Sequence, residues 1–151
     1  MVQYLEDLAV GEVGQIGTYR MTEGEIREFV SQYNSLPIRT DEAAASRSPH
    51  NGLIASGFHT FSAVNSVVTE EFKSNLAVVA GLGIDDLRWY SAVASGDILR
   101  VALEIVEARQ SKNDPNQGIY RLQVTATDQH GNHAISYVDS GLVRTRNQDE
   151  A

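Results

Sequence analysis

The chain contains no cysteine. That excludes disulfides, thiolate nucleophiles and Cys-ligated zinc, and it fits a reducing compartment. Cations are scarce: 12 Lys and Arg stand against 20 Asp and Glu, a formal net charge of −8. Nucleic acids and anionic membranes are held through clustered Lys and Arg, so neither is expected as a partner. A local basic pocket for a phosphate or carboxylate stays compatible with that total. No apolar run approaches the ~18 residues of a membrane-spanning helix. The opening MVQYLEDLAVGE carries acids and lacks the basic start of a secretory signal, so a cytoplasmic protein is expected. Glycine-rich phosphate cradles are missing too: GLGIDD is too poor in glycine, and no GxGxxG, P-loop or GxSxG occurs. His130 and His133 flank a turn but have no third ligand in view, so no metal site is expected.

What is present is an ordinary globular composition, 151 residues with 42% hydrophobic and 21% charged. Such a chain can bury about two thirds of its unfolded surface. The pattern predicts one domain over residues 1–146 and a loose tail over 147–151. A first strand is expected around Val13 to Tyr19. Thr22, with Glu25 three residues later, forms a capping-box signature for a helix from Glu23 to about Tyr33, whose Ile26, Phe29 and Val30 share a face. Thr40 or Asp41 could cap a short helix through Ala45, stopped by Pro49. A long helix is predicted from about Leu53 to Phe72, with Ile54, Phe58, Phe61, Val64 and Val68 as its apolar stripe. From Leu76 onward the period changes to that of strands. Leu99, Val101, Leu103 and Ile105 fall on one side of one strand; Tyr120, Leu122, Val124 and Ala126 fall on one side of another. KNDPNQG and HGN supply turns. Asp85 and Asp86 are read as a turn and solvated face before a strand. One strand, helices, then about four antiparallel strands make an α+β domain with a sheet curled around a central helix.

This order resembles the hot-dog fold of the MaoC-like acyl dehydratases and (R)-specific enoyl-CoA hydratases. Tyr4, Glu6, Asp7 and Gly11 match that family's opening. Pro37, Ile38 and Asp41 match part of its hydratase signature. Ser48, Pro49, Gly52, Ile54, Ala55, Ser56 and Gly57 match the turn into its central helix. Arg88, Trp89, Val93, Gly96 and Asp97 match a later motif, with Ala92 where Pro is common. The resemblance implies an acyl-CoA or acyl-carrier thioester as ligand, no other cofactor, and a homodimer or a heteromer with an active homologue.

It also marks a departure. The positions of the family's catalytic Asp and His, five residues apart, hold Asn34 and Arg39. Asn has no basic lone pair of useful pKa, and Arg stays protonated. A positioned acid–base group is commonly worth about 10²–10⁴-fold in rate. The resemblance further implies that the Gly57 N–H meets the substrate carbonyl, with Ser56 and Ser62 beside it; Gly57 could equally exist only for close packing. Arg39 could clamp an anion or simply pair with Asp41 or Glu42. His50, in the loop before the helix, is the candidate replacement base, whereas His59 points away from Gly57 and reads as framework. Three functions follow: a hydratase or dehydratase with a rearranged catalytic set, a non-catalytic thioester-binding subunit, or a thioesterase. The last wants a carboxylate on or beside the central helix, and none lies between Leu53 and Thr69.

Overall fold

The computed structural model describes residues 1–33 and 53–146. Asn34, Arg39, His50, the short helix expected before Pro49 and the tail 147–151 lie outside the described residues. Five strands, β1 (Gly11–Arg20), β2 (Val78–Trp89), β3 (Ile98–Gln110), β4 (Gln117–Thr127) and β5 (His133–Arg144), form one sheet. Its order is β1-β3-β4-β5-β2, antiparallel throughout. Helix α1 (Glu23–Tyr33) follows β1, and helix α2 (Gly57–Glu71) crosses the concave face. This is the α+β hot-dog fold, an antiparallel sheet wrapped around a central helix.

Alternation along the strands sets the core. Leu99, Val101, Leu103 and Ile105 of β3 and Tyr120, Leu122, Val124 and Ala126 of β4 are buried, the residues that the period-two pattern selects. Above them α2 buries Ala63, Val64, Val67 and Val68, and Phe61 meets Tyr137 of β5 edge-on with ring centroids 4.9 Å apart. Gly17 lets α2 sit tightly on β1: a Cβ there would lie 2.9 Å from Val67 Cγ1.

Three sequence expectations shift. The long helix begins at Gly57, not near Leu53, because Leu53–Ala55 is drawn into extended pairing: Ile54 bridges Ala94 and the Ala55 N–H donates to Val93 O at 2.8 Å. Phe58 leaves the expected stripe and is 64% exposed, since the later start and the helical rotation turn it outward. Asp85 and Asp86 lie within β2, at an irregularity between Asp85 and Arg88 where Asp86 takes φ 53°. Asp and Asn tolerate that left-handed conformation better than bulkier residues.

The family-like motifs turn out to be joints. Arg146 donates to Asp7 Oδ2 at 2.5 Å, its backbone N–H donates to Glu6 Oε2, and its guanidinium lies over the Tyr4 ring, so the opening residues clasp the end of the described chain. Asp97 Oδ2 accepts from the Ala94 N–H at 2.9 Å, with Gly96 at φ 92° completing the turn.

Candidate functional site

Helix α2 is started by its sequence. Ser56, fully buried, occupies the N-cap, and its Oγ accepts from the Phe58 N–H at 3.3 Å. Gly57 follows as the first helical residue. Its N–H is one of those an α-helix leaves without an internal acceptor, at the positive end of the helix dipole. Gly57 is also a point of close approach. A Cβ there would fall 2.7 Å from Trp89 Cε2, and the indole Nε1 donates to Gly57 O at 2.8 Å. Phe58 meets Trp89 edge-on, centroids 5.8 Å apart.

These residues border a cavity of about 510 Å³ between the start of α2 and the end of β2, with Ala55, Ser56 and Thr60 on the helix side and Trp89 and Tyr90 on the strand side. Its lining mixes apolar and aromatic residues with the hydroxyls of Ser56, Thr60 and Ser91, and Gly57, the first residue of α2, is part of it. That suits an acyl group whose carbonyl oxygen carries partial negative charge. Among its described lining residues there is no carboxylate and no imidazole. The described part of the site can therefore hold and orient a carbonyl, but supplies no proton acceptor for work near neutral pH.

Ser62 does not line this cavity; helical rotation leaves it exposed on α2. His59 also faces elsewhere. Its Nε2 lies 3.1 Å from Glu25 Oε1, and its ring stacks on Phe29 of α1, centroids 4.8 Å apart. Tyr19 of β1 donates its hydroxyl to the same Glu25 oxygen at 2.5 Å, and Thr22 Oγ1 donates to Oε2 at 2.9 Å. Burial alone would raise the Glu25 pKa, but the hydrogen bonds from Tyr19, Thr22 and His59 outweigh it and hold the carboxyl below its ordinary value. Burial, the hydrogen bond to Glu25 and that residue's charge push Tyr19 up to about 12. With Glu25 ionised, Nε2 of His59 carries the proton. His59 is a strut between α1 and α2, the framework place that the sequence suggests.

Two features escape sequence reading. Trp89 was visible as a motif residue but not as a wall of the site, because its contact with Gly57 spans 32 positions. The other is Asp139, buried beneath α2 and paired with Lys73. Its signal was available: the inner positions of β5 run Ile135, Tyr137, Asp139, Gly141 and Val143, with one acid among apolar residues.

With a hot-dog sheet, a glycine-started central helix and an aromatic-walled cavity in place, the family match over residues 9–127 decides the assignment. The chain belongs to the MaoC like domain family. Its fold is similar to that of a monoamine oxidase regulatory protein from Archaeoglobus fulgidus, with TM-score 0.86 and 25% identity, covering 97% of each chain. It is also similar to a MaoC-like dehydratase from Rhodospirillum rubrum, with TM-score 0.84 and 28% identity, covering 96% of this chain and 99% of that one. An uncharacterized Bacillus subtilis protein, YdeM, is 23% identical over 110 residues, which span 73% of this chain and 78% of YdeM.

Proposed function

We propose that this MaoC-like domain binds acyl thioesters, delivered by CoA or a carrier protein, with the thioester carbonyl on the Gly57 N–H. The observation that carries this reading is that Gly57, the first residue of α2, lines a cavity of about 510 Å³ walled in part by Trp89 and Tyr90. The similarity to the MaoC-like dehydratase of Rhodospirillum rubrum supports the dehydratase class. The reaction class is that of an acyl dehydratase or enoyl hydratase in which Asn34 and Arg39 occupy the positions of the proton shuttle. Asn34 would orient water by hydrogen bonds, Arg39 would offer a fixed cation, and His50 is the available imidazole. On this reading the protein grips enoyl thioesters and hydrates them slowly or not at all.

Two measurements test it. Calorimetry of the full chain with a saturated acyl-CoA should show binding, and no binding would sink the thioester reading. Crotonyl-CoA hydration should be near background in the native protein and rise in the double variant Asn34→Asp with Arg39→His. No gain would mean that the cavity serves another ligand. Rapid native turnover abolished by His50→Ala would instead make His50 the working base.

A thioesterase reading gains little from Asp139. That carboxylate does stand beside α2, but it is already taken up in an ion pair with Lys73 and is not among the residues lining the Gly57 cavity.

The assembly is proposed as a dimer. Strand β2 is an edge of the sheet, and Val78, Val79, Leu82, Ile84 and Trp89 along it are exposed. An apolar edge with unpaired backbone groups is a template for another strand. A second copy of this chain, or a homologue with an intact catalytic pair, would cover it.

A further inference from the structure

Asp139 sits where a sheet of this kind should carry an apolar side chain. It is 3% exposed, on the inner face of β5 between Tyr137 and Gly141. A buried carboxylate costs several kcal/mol unless it is paired. Lys73, from the 3₁₀ turn Lys73–Asn75 that follows α2, supplies the partner, and its ammonium also lies over the Tyr120 ring, 5.7 Å from the centroid. The pair alone could be structural. One neighbour argues for more: the Tyr137 hydroxyl is buried with no hydrogen-bond partner among the described residues. Leaving such a group unmet costs about 1–3 kcal/mol.

The cluster is not sealed. Lys73, Asp139 and Ser140 border a second cleft, about 270 Å³, between Phe61 and Asn65 of α2 and the glycines of β2. A Cβ at Gly81 or at Gly83 would meet nothing within 4 Å, so the strand side of the cleft is bare. This cleft and the Gly57 cavity lie along the same helix. Asn65 is two turns beyond Gly57, about 12 Å along the axis at the usual rise.

We propose that this second cleft receives a hydroxyl group at the far end of the acyl chain, so that the preferred ligands are acyl thioesters with a hydroxylated distal end. The proposal rests on the thioester reading above. The chemistry of the floor selects the group. A carboxylate would meet Asp139, and an ammonium would meet Lys73. A plain alkyl end would add no hydrogen bond to the ion pair it faces. A hydroxyl both donates and accepts, so it can accept from the Lys73 ammonium while donating to Asp139. Neutral and compact, it leaves the ion pair intact.

The test compares decanoyl-CoA, long enough to span the distance, with its ω-hydroxy and ω-carboxy counterparts, by calorimetry on the full chain. The ω-hydroxy compound should bind about tenfold or more tightly than decanoyl-CoA, and the ω-carboxy compound more weakly than either. In the double variant Lys73→Met with Asp139→Leu, which leaves neither charge unpaired, decanoyl-CoA affinity should hold and the hydroxyl preference should vanish. Equal binding of decanoyl-CoA and its ω-hydroxy counterpart to the native chain overturns this inference and leaves the thioester reading standing. Preference for the carboxylate overturns it as well. Failure of all three to bind overturns both. The native comparison decides even if the double variant does not fold.

Discussion

Gly57 carries two demands at once. Its missing Cβ makes room for Trp89, whose indole would lie 2.7 Å from a methyl there, and its carbonyl accepts the Trp89 N–H. The packing explanation for this glycine is therefore real, and the proposed ligand role would come in addition to it. Gly57→Ala should cost about 1–3 kcal/mol of stability, the usual range for overpacking. It should also weaken acyl-CoA binding by pushing the indole into the cavity. Adding Trp89→Leu should recover stability without restoring the wall. Urea unfolding of the two variants checks this, and an unchanged midpoint for Gly57→Ala would show that Trp89 moves freely. Asp139 makes the complementary point: one acid among inner positions of a strand changes what the neighbouring cleft can bind.

Among the elements, β1, α1 and α2 are joined by one partly buried polar knot rather than by apolar contact alone. Tyr19, Glu25 and His59 each come from a different one of them. The knot sets a pH window. The folded-state pKa of Glu25 is depressed, so its contribution is present above the ordinary value of 4.5 and is lost as pH falls through the folded value. Tyr19 behaves oppositely. Its folded pKa is raised from 10.0 to about 12, so its contribution is present below 10.0 and is lost as pH rises toward about 12. Glu25→Gln should flatten the acid side of a stability-against-pH curve, and Tyr19→Phe the alkaline side. Denaturant midpoints measured across pH would show it; acid and alkaline slopes identical to the native protein would remove the knot from the account.

At the scale of the whole molecule, both edges of the sheet are irregular, and they differ in what they expose. β1 shifts register around Glu12–Gly14 and Gln15–Gly17, and β2 around Val78–Ala80, Gly81–Gly83 and Asp85–Arg88. β2 in addition presents apolar side chains to solvent along most of its length. The proposed dimer through β2 would bury them and enclose the strand side of both cavities. Sedimentation of the native chain should give twice the 16.5 kDa chain mass, and Leu82→Glu should shift it toward the monomer. A native monomer at micromolar concentration would refute the arrangement.

The sequence by itself determined the elements and the inner faces of β3 and β4, though not the whole inner face of α2, where Phe58 turns outward. Period-two apolar runs such as Leu99 to Ile105, the Thr22 and Glu25 cap and the turn residues are local signals, because each records a choice made within a few residues of backbone. The motif residues Ser56 and Gly57 likewise marked the start of the central helix, although the pull of Ala94 and Val93 on Ile54 and Ala55 delayed that start. Only the tertiary structure decided that Trp89 closes on Gly57, that His59 joins Glu25 and Tyr19, and that Lys73 reaches Asp139. Those contacts join residues far apart in the chain, and their partners are selected by the curl of the sheet around α2, which no local pattern encodes.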